Sequence, residues 1–362
     1  MATIIRISLT TRYPFHFGRR GVGLNETEVT LAADALFSAM CNSMFLLEGD
    51  QVVQDMLATF PTFAQPATPP FRITSLMPSK AGIDLLPMPA LRISLPGKGL
   101  EARKEIKSIR WVSRSLFQRL VRGEALNQTP AYVEPNTNRL YTVQNGEVWV
   151  SKNEQEALGG EDALLWATAI RPRVTVDRIS SQSNVFSSGS VHFAKDVSLY
   201  ALIRWEKDDS TLQDRVEAAF RALGDDGIGG ERAYGYGHFE PDFTASTDDL
   251  GATAGNYFTT LSPYLPQQNE REVFGGFSSY AIDLRRGWIT RHGYNNLRRP
   301  TLRMVESASV LHKPKSATVT GCLGDVTPSE MYTMRRYTVY RYGLAWPVTV
   351  ADSVVEPARE SI

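Results

Sequence analysis

The stretch that most constrains this chain is Gly227-Ile-Gly-Gly-Glu-Arg-Ala-Tyr-Gly-Tyr-Gly-His-Phe239, which holds five glycines, two tyrosines, an arginine and a histidine. Glycine supplies positive φ and a bare backbone that a ligand can approach. Arginine and tyrosine add charge and stacking planes, so the run reads as a rigid cradle for a polyanion. Two familiar phosphate loops fail on spacing. The dinucleotide fingerprint needs its third glycine where Arg232 stands, and the Walker loop needs Lys followed by Ser or Thr where Tyr236 and Gly237 stand. Upstream, Leu212, Val216, Ala219, Phe220 and Leu223 mark one apolar helical stripe, with Ser210 or Thr211 as cap and Gly224 as its stop. Downstream, His238 to Phe243 alternates like a strand that Pro241 is expected to end. The local order is helix, glycine loop, strand.

Composition matters here through the distribution of charge. The 362 residues leave room for two domains, and 39 basic residues balance 39 acidic ones. The balance is not local. Seven bases face one acid between Arg103 and Arg122, six arginines and no acid fall between Arg285 and Arg303, and twelve acids face four bases from Glu206 to Asp249. Segregation of this kind suits a subunit that touches both an anion and protein neighbours. Cys41 and Cys322 are too few for a disulfide framework or a cysteine zinc site. With no charged leader feeding a long apolar stretch, the chain is expected to be soluble and cytoplasmic, without membrane contact.

The chain begins with an alternating strand, Thr3 to Thr11, and runs into Arg12-Tyr-Pro-Phe-His-Phe-Gly-Arg-Arg-Gly-Val-Gly23. Arg12, Arg19, Arg20 and His16 are interleaved there with three aromatics and no acid, a composition suited to a phosphate chain and stacked bases. An ordinary solvated loop is the plainer alternative. A core helix from Leu31 to Glu48 follows, with Thr30 as its cap, and then a shorter one from Val52 to Phe60. The basic segment carrying Lys107 and Arg110 interleaves cations with Trp111, Leu116 and Phe117, as an amphipathic helix would. Arg139 to Val150 reads as a hairpin turning at Asn145-Gly146. A strand from Ala169 to Arg178 holds Arg171, Arg173 and Arg178; a polar run follows, then a strand from His192 to Trp205. That pattern predicts a projecting finger tipped by Val185 and Phe186, able to wedge between bases or to hang as a loose loop. Thr244 to Gly255 reads as a linker, a second block of strands follows, and Ala351 to Ile362 reads as a disordered tail.

Catalytic constellations are thin. No nucleophile elbow occurs, the five histidines are dispersed, and the paired aspartates sit where solvated surface is the usual explanation. His16, among arginines and beside the glycine loop, is the one candidate general acid or base for metal-free RNA cleavage. Single-strand binding is the better-supported chemistry. The order of elements outlines an α+β fold: a ferredoxin-like βαββαβ unit over residues 1–243, with a hairpin inserted near 165–205 and the glycine loop at 227–237 between the second helix and the last strand. A β-rich, also ferredoxin-like module over 256–350 follows.

These residues resemble the RAMP superfamily of CRISPR systems, whose glycine-rich loop occupies this place in a ferredoxin-like fold. Within it the chain is similar to the group-five Cas type that caps the guide RNA in type III-A effector complexes. Supporting matches are Phe15-His-Phe-Gly18, Ala33 to Met40, Leu86-Pro-Met-Pro89, Arg171-Pro-Arg173 with Val176-Asp-Arg178, and Leu261-Ser-Pro-Tyr264. Ala33 stands before Asp34 where the family carries a small polar residue. The resemblance implies a non-catalytic subunit without cofactor or metal that holds the 5′ handle of the crRNA. It also implies a thumb-like hairpin near Phe186 that meets the guide and target RNA duplex, and docking to a large polymerase-like Cas subunit and a backbone RAMP subunit. The RNA-binding set implied is Arg12, His16, Arg19, Arg20, Lys107, Arg110, Arg171, Arg173, Arg178, Phe186, Gly229, Gly230, Arg232, Tyr234, Gly235 and Tyr236. The alternatives are a metal-independent crRNA-processing endoribonuclease using His16, and the capping subunit of a type III-B or III-D complex.

Overall fold

The computed structural model describes residues 3–18, 25–93, 100–135, 137, 139–247, 249–289, 297–315, 318–334 and 338–356. The alternation read in the first strand is real, and both of its faces are covered. β1 (Thr3–Thr10) turns Ile7 and Leu9 into one core and Ile4 into another. After the short pair β2 (Phe17–Gly18) and β3 (Thr27–Glu28) come α1 (Ala33–Glu48) and α2 (Asp50–Ala58). Thr30 is not the cap of α1. The N-cap is Ala32, and the hydroxyl of Ser75 accepts from Ala33 N instead (3.1 Å).

β4 (Phe71–Ile73), β5 (Met77–Lys80) and β6 (Ile83–Pro87) continue the sheet. The basic segment is not one helix. It forms α3 (Leu100–Ser108), β7 (Trp111–Ser113) and α4 (Arg114–Arg122), because Trp111 and Val112 pair with neighbouring strands and Ser113 caps α4, accepting from Leu116 N. The Asn145-Gly146 turn joins β8 (Thr142–Val143) to β9 (Val148–Trp149) as expected, and α5 (Lys152–Leu158) follows behind a capping box at Ser151 and Glu154.

β10 (Trp166–Val176) and β11 (Ser183–Phe193) make a separate two-stranded hairpin of eleven residue pairs, about 34 Å long at 3.4 Å per residue. Its turn is Asp177–Gln182. Val185 and Phe186 lie inside β11, opposite Val174 and Arg173, and the side chain at the tip is Ile179, 97% exposed. The serine-rich run has loop composition, but β-branched partners on β10 zip it into register. The Asp177 carboxylate braces the turn, accepting from Ile179 N and Ser180 N (2.8 Å each), and these bonds hold its pKa below the usual range.

β12 (Val197–Trp205) and α6 (Ser210–Asp226) lead to the glycine loop and to β13 (Glu240–Ser246). Asp209 caps α6, accepting from Leu212 N at 3.0 Å. Gly224 lies within the helix rather than ending it. A Cβ there would stand 2.4 Å from the Phe239 carbonyl, so the residue is small to let the outgoing strand pass. Pro241 does not stop β13 either, since β13 is the sheet edge and a proline is tolerated there. The large mixed sheet runs β13-β1-β12-β5-β6-β7-β9-β8, with β4 also on β12. α1 and α6 pack together over one face, and α4 covers part of the other.

The remaining strands are β14 (Tyr257–Thr260), β15 (Ile282–Trp288), β16 (Arg298–Val305), β17 (Val310–His312), β18 (Gly321–Asp325), β19 (Tyr340–Leu344) and β20 (Pro347–Val350). They form a three-stranded sheet, β17-β14-β20, and the hairpins β15-β16 and β18-β19. Their side chains complete both cores: Leu323, Tyr342 and Leu344 join the first, Trp346, Val348 and Val350 the second. Arg72 stitches the parts together. Buried on β4, it donates to the carbonyl of Ala345 (2.9 Å) and to Glu206 (2.8 Å). The expected linker is anchored as well. Arg122 on α4 donates to Gly251 O at 3.0 Å, and Arg114 pairs with Asp249. Residues 351–356, expected in a disordered tail, form a turn against α4 with Ala351 N on Val121 O (2.8 Å); residues 357–362 lie outside the described residues.

Candidate nucleic-acid interface

Three separate pieces of chain meet at the glycine loop. Residues 11–18 run between it and the base of the β10-β11 hairpin, bonding to both. On the loop side, Gly230 N donates to His16 O (2.9 Å), Gly237 N to Pro14 O (2.9 Å) and the Thr11 hydroxyl to His238 O (2.7 Å). On the hairpin side, Phe15 and Val191 exchange backbone bonds of 3.0 and 2.8 Å. Phe15 and Phe17, stacked 5.0 Å apart, anchor the segment in the core.

The glycines are positions of contact as much as of conformation. A Cβ on Gly229 would sit 2.5 Å from His16 O, and one on Gly237 would sit 2.1 Å from Ile228 O; both have positive φ. Gly230 abuts the His16 ring, where a Cβ would come 2.6 Å from Cδ2. Gly235 differs. Its φ is +81° and nothing lies within 4 Å, so backbone conformation alone requires it. Gly189 is the residue that sequence reasoning missed. A Cβ there would meet Asn25 O at 2.5 Å, and its own carbonyl stands 2.7 Å from His16 Nδ1.

Around this frame the candidate side chains fall into groups. Arg173 crosses from the hairpin to the loop: its guanidinium lies 3.9 Å from the ring centre of Tyr234, 5.6 Å from that of Tyr236 and 3.4 Å from the Glu231 carboxylate. Tyr234 is 61% exposed while Tyr236 is buried. Arg232 is exposed and paired with Asp226 (2.8 Å). Arg12 is exposed after β1; Arg171 and Arg178 are exposed along the hairpin, Arg178 at its far turn; Phe186 is half-buried opposite Arg173. Arg110 lines a shallow depression with Asn25 and Thr168 near the hairpin base. Lys107, on α3, is not among the residues that meet at the loop, since three strands separate β7 from β1. Arg19 and Arg20 lie outside the described residues.

Chemically, the arrangement offers cations, aromatic planes and bare backbone on one surface. His16 is 5% exposed, with Nδ1 on a carbonyl and its ring wedged against Gly230, a setting that suits a positioning residue. Among the described residues, no three His, Cys, Asp or Glu side chains gather as a metal site, and no helix is long and apolar enough to cross a membrane.

Residues 253–350 match the family model described as the CRISPR Csm4 C-terminal domain. Over a longer span the chain is similar to Csm4 proteins of CRISPR systems. It is 24% identical to one from Thermococcus onnurineus over 237 residues, covering 65% of this chain and 69% of that one. It is 20% identical to one from Mycobacterium tuberculosis over 302 residues, covering 83% and 85%. Residues 253–350 thus carry a Csm4 C-terminal domain, and the similarity to Csm4 proteins reaches over most of the chain.

Chains in two solved assemblies share the fold. A Csm3-Csm4 subcomplex of the type III-A CRISPR-Cas interference complex contains a chain that superposes at a TM-score of 0.65, with 16% identity over 96% of this chain and 99% of that one. A Csm1-Csm4 cassette gives 0.56, with 17% identity over 96% and 98%. The family-model match falls on the C-terminal strands, whereas the glycine loop that led to the same family lies upstream of it. The two resemblances therefore rest on different residues of the chain.

Proposed function

We propose that this protein is a non-catalytic, RNA-binding subunit of a type III-A CRISPR effector complex, which caps the 5′ handle of the crRNA and docks the large polymerase-like subunit in the cytoplasm. The observation that carries the reading is the convergence of residues 11–18, the glycine loop and the hairpin on one surface, joined through Arg173, Tyr234 and the His16 carbonyl. Cations that track phosphates beside exposed aromatic planes are the chemistry of single-strand recognition. Similarity to chains found in assemblies with Csm3 and Csm1 supports a hetero-oligomeric role beside a backbone subunit and a large subunit.

In this reading β13-β1-β12-β4 with α1 and α6 is a ferredoxin-like βαββαβ unit spanning residues 1–243, and residues 256–350 are a second module whose side chains complete the cores of the first. The β10-β11 hairpin, which among the described residues pairs with no strand of another sheet and is tied to the body through the Phe15–Val191 bridge, is the thumb toward the guide and target duplex. Arg12, Arg171, Arg173, Arg178, Phe186, Tyr234 and the loop glycines form the RNA surface, extended toward Lys107 and Arg110. His16 holds the loop in place rather than moving protons. The test is to purify the assembled complex and sequence its RNA. A common 5′ end that is lost with Arg173→Glu supports the reading; unchanged retention overturns the surface. Cleavage of precursor RNA in chelator that vanishes with His16→Ala would instead favour the nuclease.

A further inference from the structure

The two glycine-rich runs, residues 12–23 and 227–239, carry six phenylalanine and tyrosine rings: Tyr13, Phe15, Phe17, Tyr234, Tyr236 and Phe239. Composition alone makes each a candidate plane for a base. The fold buries four of them, since Phe15, Phe17, Tyr236 and Phe239 are packed inside, and leaves two at the surface. One is Tyr234, already placed beside Arg173. The other is Tyr13, 56% exposed.

Tyr13 is held in position by the glycine loop. The Thr11 hydroxyl accepts from Tyr13 N (3.0 Å) and donates to His238 O (2.7 Å), while Gly237 N donates to Pro14 O (2.9 Å), so the backbone on either side of Tyr13 is tied to the end of the loop. The ring itself meets His238, with centres 5.8 Å apart and planes at 69°. Such a contact is edge to face and can cover at most one of the two faces of the phenol, so the other stays open. Tyr234 is braced in the same manner, with the Arg173 guanidinium against its ring. The two exposed rings thus stand at either end of residues 235–237, where Gly235 has open space around it, and the exposed Arg12 adjoins Tyr13.

We propose that Tyr13, braced by His238, is a second base-stacking platform of the RNA surface, taking one unpaired base while Arg12 meets an adjacent phosphate. The inference rests on the RNA-binding reading above and deepens it, because it runs the strand along the loop from Tyr234 past Gly235 to Tyr13. An open aromatic face accepts any base, so this contact adds affinity without sequence preference.

The test is equilibrium binding of a fluorescent single-stranded RNA of about ten nucleotides, within the span such sites cover, to the full chain and its variants. Tyr13→Ala should weaken binding about tenfold, as expected for one lost base stack, Tyr13→Leu should weaken it equally, and Tyr13→Phe should bind as the native chain does. A lost stack releases no counterion, so Tyr13→Ala should leave the slope of log affinity against log salt unchanged, whereas Arg12→Gln should lower it by about 0.7, the value for one phosphate on a single strand. Melting temperatures of the Tyr13 variants should match the native one, and 5-iodouridine RNA should photo-cross-link to Tyr13. If Tyr13→Ala binds RNA as the native chain does while Arg173→Glu loses it, the platform is overturned and the loop surface stands. If Tyr13→Ala keeps its RNA affinity but no longer co-purifies with the other subunits of the complex, the ring is a protein contact and the proposal also fails. Absence of RNA binding by the native chain overturns both.

Discussion

Arg341, on β19, donates to the carboxylate of Asp34 in the first turn of α1, across 307 residues of sequence, with both side chains at most 1% exposed. A second guanidinium, Arg285, lies 3.5 Å from the other Asp34 oxygen. The opening turn of the first helix is thus pinned by two arginines of the C-terminal strands.

Breaking that pair from one side should be costly, because the partner is left charged and buried. Asp34→Ala is expected to lower unfolding free energy by about 3 to 5 kcal/mol. Adding Arg341→Met should recover part of the loss by removing the stranded charge. Urea denaturation of the single and double variants measures both; a single-variant loss below about 1 kcal/mol would put the pair in the class of surface ion pairs.

The loop glycines should separate into two kinds. Gly235→Ala meets no neighbour and should cost only the left-handed conformation, about 1 to 2 kcal/mol. Gly237→Ala drives a Cβ into Ile228 O and should cost about 1 to 3 kcal/mol more, with RNA retention lost in parallel. Equal effects in melting experiments would refute the packing account of this loop.

Arg173 is expected to act through its plane as well as its charge. Arg173→Lys preserves the cation but gives up the stacked guanidinium over Tyr234, so RNA affinity should fall by about 1 kcal/mol, roughly fivefold. A lysine variant with native affinity would reduce the contact to simple charge.

Cys322 should report on the core. Burial, aided by the neighbouring Glu270 carboxylate, pushes its thiol up to about 12 from an ordinary value of 9.0. The folded thiol therefore keeps its proton where the unfolded one loses it. Its contribution to stability is complete below pH 9 and is lost as pH rises from about 9 to about 12. Cys322→Ala should flatten that part of the alkaline unfolding curve, and the native thiol should resist alkylation at pH 8.5 until the chain unfolds; rapid labelling of the folded protein would contradict this.

Much of this protein was legible in its sequence because the signals are local. The alternation of Ile5, Ile7 and Leu9 in β1, the stripe of α6, the Asn145-Gly146 turn and the dense glycines of 227–237 each follow from backbone sterics and side-chain period within a few residues. Those signals, with the order of the motifs, were enough to reach the resemblance that the Csm4 C-terminal domain at residues 253–350 supports. What they misjudged was the ends of elements. Gly224 and Pro241 look like stops in sequence. The nearness of Phe239 O explains the first, and an edge position in the sheet permits the second. Likewise the serine-rich run around Phe186 has the composition of a loop until eleven cross-strand pairs make it a strand. Tertiary structure alone decided that Gly189 supports His16, that Asp34 is held by Arg341, and that Trp288 lines one pocket together with Gly227 and Arg232 of the glycine loop. These are contacts between residues tens to hundreds of positions apart, and the side-chain period along one segment carries no information about which distant segment will cover it.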